Sequence, residues 1–178
     1  MALAGQKVCL RPIERSDIPT FVRWFNDPEV TRYLQTYMPM SLAEEERWFE
    51  EYLGDKSQRI FGIVTMDGRL VGNIGLHRID WKDRQAMLGI VIGEKECWGQ
   101  GFGSDAIRTL VRFAFREMNL YRVYLTVYEY NARALRCYER CGFQLEGRMR
   151  RAHFHDGSYH DELMLAVLRE EAQDNDSQ

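Results

Sequence analysis

Cys97-Trp98-Gly99-Gln100-Gly101-Phe102-Gly103-Ser104 decides how this chain is read. Immediately upstream, Met87-Leu88-Gly89-Ile90-Val91-Ile92 is a short apolar run rich in β-branched residues, which predicts a buried strand. Downstream, Ile107, Leu110, Val111, Ala114 and Met118 recur at steps of three and four and mark one apolar stripe of a helix. Three glycines in five residues therefore sit at a strand-to-helix turn.

The first N–H groups of a helix have no internal partner, and the helix dipole places partial positive charge beside them. Glycines let the main chain curl around an anion without Cβ collisions, so a phosphate can accept several N–H bonds at once. The turn alone fits a plain glycine-rich loop equally well. Two phosphate motifs are excluded. No Gly-Lys-Ser/Thr follows, so a nucleoside triphosphate loop is missing its lysine and its Mg²⁺ ligand. Gly101, Gly103 and Ala106 could trace a dinucleotide fingerprint, but that motif belongs to the opening strand of a βαβ unit, whereas this strand comes mid-chain.

A length of 178 residues predicts one domain, with a core from about residue 7 to 169 and a polar tail at 170–178 that should fray. The formal charge of −3 leaves no basic field for nucleic acid, although Arg148-Met149-Arg150-Arg151 forms a local cluster. Cys9, Cys97, Cys137 and Cys141 include no Cys-x-x-Cys pair, and no second ligand pair joins Cys137 and Cys141, so no metal is expected. There is no signal-like segment and no run of membrane-spanning length, which predicts a reduced, cytoplasmic protein without a membrane partner. The sequence leaves a homodimer open.

Taken in order, Val8–Pro12 reads as a strand. Ser16 or Asp17 then caps a helix that carries Pro19 in its first turn, presents Phe21, Trp24 and Phe25, and is broken by Asp27-Pro28. Ser41-x-x-Glu44 is a capping box opening a second helix, with Trp48, Phe49 and Tyr52 facing inward. The aromatic, Met-rich stretch 33–40 lacks periodicity and suits either an acceptor-site loop or a packed one. Ile60–Thr65 and Leu70–Ile79 flank Met66-Asp67-Gly68-Arg69, a hairpin signal, and with the Met87 strand they predict an antiparallel meander. Arg122–Tyr128 alternates as a strand. Asn131 caps a helix over Ala132–Cys141 that Gly142 ends, and a hairpin closing at Asp156-Gly157-Ser158 finishes the fold.

Four pieces in this order carry a resemblance: the apolar strand, Trp98-Gly99-Gln100-Gly101-Phe102-Gly103, the strand Arg122–Val127, and Asn131-x-Arg133-Ala134-x-x-x-Tyr138-x-x-x-Gly142-Phe143. The chain resembles the GNAT superfamily of acyl-CoA-dependent N-acetyltransferases over nearly its whole length. Its Arg11-Pro12 start and Asp156–Asp161 hairpin are most similar to the branch of ribosomal-protein N-terminal acetyltransferases, with spermidine acetyltransferases also similar. The resemblance implies an α+β (mixed α/β) fold whose central, mostly antiparallel mixed sheet is splayed at the cofactor strand and flanked by helices. It implies acetyl-CoA as cosubstrate. Main-chain groups of Gly99, Gln100, Gly101, Phe102, Gly103 and Ser104 would hold the pyrophosphate, with Trp98 at the position where the family loop carries Gln or Arg. The pantetheine arm would lie as an added strand against Ile90, Val91 and Ile92. Asn131 would contact that arm, cap its helix, or do both.

Acyl transfer from a thioester to an amine needs a neutral amine, a donor to the developing oxyanion and a proton for the thiolate. Tyr138 aligns with the family tyrosine that meets the sulfur and is the expected general acid, while a main-chain N–H near Ile92 would face the oxyanion. Met87 stands where many relatives carry a basic Glu, leaving Glu129, His77, Asp80 or a water as base. A lysine-like amine of pKa about 10.4 costs roughly 4–5 kcal/mol to deprotonate at neutral pH, an α-amine near 7.8 only about 1. The missing carboxylate thus leans towards a peptide N-terminus or another weakly basic amine. Glu44, Glu45 and Glu46 could serve a polyamine but read first as a solvated helix start, and His153, His155 and His160 as scattered surface residues. Cys97 has no His–Asp/Asn partner in the sequence, so direct attack in a ternary complex is expected. The rivals are a non-catalytic acyl-CoA-binding module and a polyamine acetyltransferase.

Overall fold

Local signals set the middle of the sheet. Gly68 takes a φ of +91° and its N–H bonds Thr65 O at 2.9 Å, closing the turn between β3 (Arg59–Thr65) and β4 (Leu70–Asp80). The computed structural model describes residues 2–175. Eight strands form one sheet: β1 (Leu3–Ala4), β2 (Val8–Pro12), β3, β4, β5 (Gln85–Ile92), β6 (Arg122–Tyr128), β7 (Gln144–His155) and β8 (Ser158–Leu168), in the spatial order β1-β2-β3-β4-β5-β6-β8-β7. All neighbours are antiparallel except β5 and β6, which run parallel.

That parallel pair is short. Its register covers Gln85↔Arg122 to Met87↔Tyr124 and stops there, while β6 stays paired with β8 as far as Tyr128↔Glu162. From Leu88 onward β5 therefore leaves β6 and opens a gap in the sheet, the splay expected from the resemblance.

The two faces are covered by different helices. Alternation along β5 sends Ala86 and Leu88 into the larger apolar cluster with Ile107, Leu110 and Ala114 of α4 (Phe102–Arg116), and Ile90 and Ile92 pack against the same cluster. Val91 points to the other face, among Ile18, Phe21 and Trp24 of α1 (Ile18–Phe25) and Phe49 of α3 (Leu42–Gly54). Asp105, one turn into α4, accepts the main-chain N–H groups of Gln6 (3.0 Å), Lys7 (2.7 Å) and Val8 (3.0 Å), fixing that helix to the start of β2.

The structure departs from expectation at four places. Asp27-Pro28 ends α1 but also begins α2 (Pro28–Thr31), because the Asp27 carboxylate accepts Glu29 N–H at 2.9 Å. The paired region extends back to β1, where Leu3 and Ala4 pair with Leu10 and Cys9. The polar tail opens as α6 (Arg169–Asn175), a helix not expected from the sequence: Glu171 accepts Leu168 N–H at 2.8 Å, and Arg169 donates to Phe115 O (2.7 Å) and Leu120 O (3.1 Å). Residues 176–178 of that tail lie outside the described residues.

The fourth concerns the acidic run of α3. Glu44 completes its capping box with Ser41, as the spacing predicts, but Glu45 is not solvated. It is 4% exposed, and burial raises its carboxyl to about 7. A carboxyl whose pKa is higher in the folded chain favours folding while protonated, and that contribution is lost as pH rises from about 4.5 through 7. Glu45→Gln should therefore resist urea better than the parent by about 2–3 kcal/mol near pH 8, the two converging near about pH 4. Equal stabilities at the higher pH would show that Glu45 is solvated after all.

Candidate active site

The α4 N-terminus has the form of an anion site. Gly101 is its N-cap residue at φ +85°, ψ 1°, a left-handed conformation costly for a residue with a Cβ, and no side chain caps the first-turn N–H groups. Lys7 Nζ donates to Gln100 O at 2.9 Å, and the Arg133 guanidinium lies 4.3 Å from the centre of the Trp98 ring, so two cations flank the turn. These features suit the pyrophosphate of an acyl-CoA. Lys7 carries no local signal, and Arg133, though part of the quoted Asn131–Phe143 pattern, shows its place at the turn only through its contact with Trp98.

Main-chain polarity along β5 follows from its register. Gly93 N–H bonds Val71 O at 2.9 Å, so antiparallel alternation gives the peptide groups of Val91, Gly89 and Met87 to β4 and turns those of Ile92, Ile90 and Leu88 to the gap. Val91, expected beside the pantetheine arm, is thus committed to Asn73, and its place is on the opposite face. The Trp98 indole donates to Ile92 O at 2.7 Å, so Trp98 fixes the end of the open edge as well as the turn.

On the far side of the gap, the Asn131 side chain accepts Ala134 N–H at 3.2 Å and caps α5 (Ala132–Arg140), and Asn131 itself is 8% exposed. Two thiols tie α5 to α4. Cys137 Sγ lies 3.2 Å from Ser104 Oγ, and the Cys141 thiol donates to Ser104 O at 3.7 Å. The two neighbouring thiols shift each other in opposite directions, Cys137 being lowered and Cys141 raised. Tyr138 follows Cys137, packs against the larger cluster with its ring 6.0 Å from Phe143, and makes no hydrogen bond through its hydroxyl among the described residues. Burial pushes that phenol up, so it holds its proton at neutral pH.

The base candidates separate cleanly. Glu129 Oε1 accepts Asp161 N–H at 3.0 Å and Oε2 takes Arg148 at 3.2 Å, while Asp80 Oδ1 accepts the N–H groups of Lys82 and Asp83 at 2.9 Å. Both carboxylates are occupied in holding turns. His77 is placed differently. It is the cross-strand partner of Met87, on the face carrying Met87, Gly89 and Val91. Its Nε2 reaches over Gly89, where a Cβ would meet it at 3.1 Å. Its Nδ1 is 3.2 Å from Gln58 Oε1, and Gln58 donates its Nε2 to Asp55 at 2.7 Å, which fixes the amide oxygen towards the imidazole. Nδ1 therefore carries the proton and Nε2 the lone pair. Burial lowers the His77 pKa and keeps the ring neutral.

The histidines of the final hairpin are assembled, not scattered. His153 stacks on Tyr128 at 3.7 Å and 9°, His155 on Tyr130 at 5.6 Å, and His160 meets Tyr130 edge-on at 4.9 Å. Tyr130 donates its hydroxyl to Arg32 O at 3.0 Å and lies 5.9 Å from Tyr33. Arg133 completes the chain of contacts, 5.9 Å from the Tyr33 ring and over Trp98.

Comparison with known proteins gives the same picture. Residues 7–144 match the family described as "Acetyltransferase (GNAT) domain". A spermidine N(1)-acetyltransferase of Escherichia coli (strain K12) is 28% identical over 166 residues, covering 93% of this chain and 88% of the relative. A putative ribosomal N-acetyltransferase, YdaF, of Bacillus subtilis (strain 168) is 30% identical over 149 residues, covering 84% and 78%. Among solved structures, the spermidine N-acetyltransferase of Vibrio cholerae in complex with CoA and spermine superimposes with a TM-score of 0.88 at 28% identity, over 94% of this chain and 98% of that one. The splayed strands and the uncapped helix start are therefore those of an acetyl-CoA-dependent N-acetyltransferase, and the chain belongs to the GNAT acetyltransferase family.

Proposed function

We propose that the enzyme passes the acetyl group of acetyl-CoA directly to a small primary amine, with Tyr138 as general acid and His77 as general base. The observation that carries this reading is the gap between β5 and β6, which ends beside the uncapped N-terminus of α4, the turn to which Cys137, next in the chain to Tyr138, ties α5. The N–H groups of Phe102, Gly103 and Ser104 and the Lys7 and Arg133 cations hold the pyrophosphate, with Trp98, Gly99, Gln100 and Gly101 shaping the turn. The gap-facing peptide groups of Ile90 and Ile92 take the pantetheine arm, an N–H near Ile92 donates to the carbonyl oxygen as charge develops, and Asn131 holds α5 against the arm.

On the opposite face, Met87 cannot accept a proton, and its cross-strand neighbour His77 supplies one lone pair directed along that face. The transfer moves one ammonium proton to His77 Nε2, the amine lone pair to the acetyl carbon and the Tyr138 proton to the departing sulfur as the C–S bond breaks. The second proton lost by the new amide nitrogen restores the Tyr138 phenol through water, and His77 returns its proton to solvent. Cys97 is buried, and burial raises its thiol, which favours direct attack over an acetyl-cysteine route. All four cysteines are free thiols, as a reducing cytoplasm would keep them. No described helix is long and apolar enough to cross a membrane. A peptide α-amine is the second reading: it is easily deprotonated by an imidazole, and the ribosomal relative at 30% identity favours it.

His77→Gln tests the base. The kcat/KM should fall by about a hundredfold near neutral pH while acetyl-CoA affinity is kept. The parent's acidic limb, placed below the ordinary imidazole value of 6.5 because burial disfavours the charged ring, should disappear. An unchanged rate and an unchanged limb in His77→Gln would remove the residue from this role.

A further inference from the structure

We infer that the cavity between the segment after α2 and the tips of β6 and β7 binds the acceptor, and that it selects a small amine bearing an aromatic ring over a polyamine. The inference rests on the acetyl-transfer reading above and deepens it. The cavity measures about 470 Å³, within the range of small-molecule sites of about 300–1,000 Å³. Leu34, Tyr37, Tyr128 and Phe154 supply its apolar walls, with His153 and His155 between them.

Three observations set the chemistry of the occupant. The first is apolar surface left in water: Tyr37 is 88% and Phe154 60% exposed at the rim, while Tyr128 at the base is 5% exposed. A planar ring entering at the rim would cover Tyr37 and Phe154 and seat on the His153–Tyr128 stack. The second is an orphan in a lining residue: His153 Nε2 is buried without a hydrogen-bond partner, and a small shift of the ring would offer it to one polar group of an occupant. The third is charge. Among the described residues no Asp or Glu lines the cavity, and Arg32 does. Glu162, paired with Tyr128 across β6 and β8, is the carboxylate whose field reaches Tyr128 and His153.

A polyamine that surrenders one proton for attack still carries further ammonium groups, and each needs a counter-charge once desolvated. Aromatic faces can hold ammonium groups, but Tyr128 at the base is already covered by His153, and Arg32 in the wall repels further cations. The cavity also adjoins the gap, because Tyr128, at its base, is the last residue of β6, the strand on the gap's far side.

The test is release of free thiol by the full chain with acetyl-CoA and each of 2-phenylethylamine, butylamine and spermidine, with acetyl-CoA uptake measured separately by calorimetry. The expected result is a kcat/KM for 2-phenylethylamine above that for spermidine by about tenfold or more, with butylamine between. Tyr37→Glu, made at an exposed site so that folding is spared, should narrow or invert that ratio. Spermidine equal to or better than 2-phenylethylamine overturns the inference, as does a Tyr37→Glu enzyme with an unchanged ratio. If that variant only dissociates an oligomer and leaves the ratio alone, the rings serve a second copy of the chain and the inference is likewise overturned. Uptake of acetyl-CoA without aromatic preference sinks the pocket assignment alone, whereas no uptake sinks the transfer reading itself.

Discussion

Gly101→Val should abolish useful acetyl-CoA binding, raising the dissociation constant about a hundredfold or more, while the protein still folds. Gly101 is held at φ +85°. For a non-glycine residue such a conformation costs about 1–3 kcal/mol, and a β-branched side chain bears the worst of it. The space itself is not the obstacle, because a Cβ would meet only the flexible end of Lys7, at 3.2 Å. The strain is relieved by rotating the 101–102 peptide, which re-aims the first-turn N–H groups of α4. Hydrogen bonds to a charged group contribute about 1.5–3 kcal/mol each, so misplacing two of them accounts for the hundredfold loss. Gly101→Asn separates this account from crude disruption, since Asn tolerates the left-handed region and should keep most of the affinity. Calorimetry on both variants decides it. Parent-like binding by Gly101→Val would mean that the α4 N-terminus does not hold the pyrophosphate.

What could be read from the sequence, and what could not, divides by range. The 97–104 turn, the Ser41–Glu44 capping box, the Thr65–Arg69 hairpin and the Asn131 cap each announce themselves within a few residues, and the structure forms all four. The family pattern added the splay, which no local signal marks, since Leu88–Ile92 looks like any buried strand until its register with β6 is known. Register also decided the fate of Val91, grouped with Ile90 and Ile92 by adjacency but turned to β4 by alternation. His77 was one of three open base candidates because its strength as a base depends on Gln58 and Asp55, about twenty residues away, and on a glycine across the strand. Glu45 reads as solvated from its position in a helix's first turn, yet α3 packs that position inward. The imidazole stack had no signal beyond His153 and His155 at alternating positions and His160 across the hairpin, because Tyr128 and Tyr130 reach it from β6 and the loop that follows.

Tyr138→Phe should lower kcat by about a hundredfold and leave the acetyl-CoA dissociation constant within about twofold. General acid catalysis contributes about 10²–10⁴ in rate, and a thiol is a far better leaving group than an alcohol or amine, which places this case at the lower end. The substitution removes one oxygen from a ring that keeps its packing against Phe143 and the larger cluster. That oxygen has no hydrogen-bond partner among the described residues, so deleting it leaves no donor or acceptor stranded and the melting temperature should hardly move. The steady-state loss thus belongs to the transferred proton and not to a damaged fold. The sign with pH follows from the burial of the phenol: because it is protonated throughout the neutral range, the parent should show no loss of kcat from Tyr138 ionisation below its ordinary value of 10. A Tyr138→Phe enzyme with full kcat would transfer the proton-donating role to solvent. A raised dissociation constant at unchanged kcat would make Tyr138 a wall of the pantetheine channel, with the thiolate leaving unassisted.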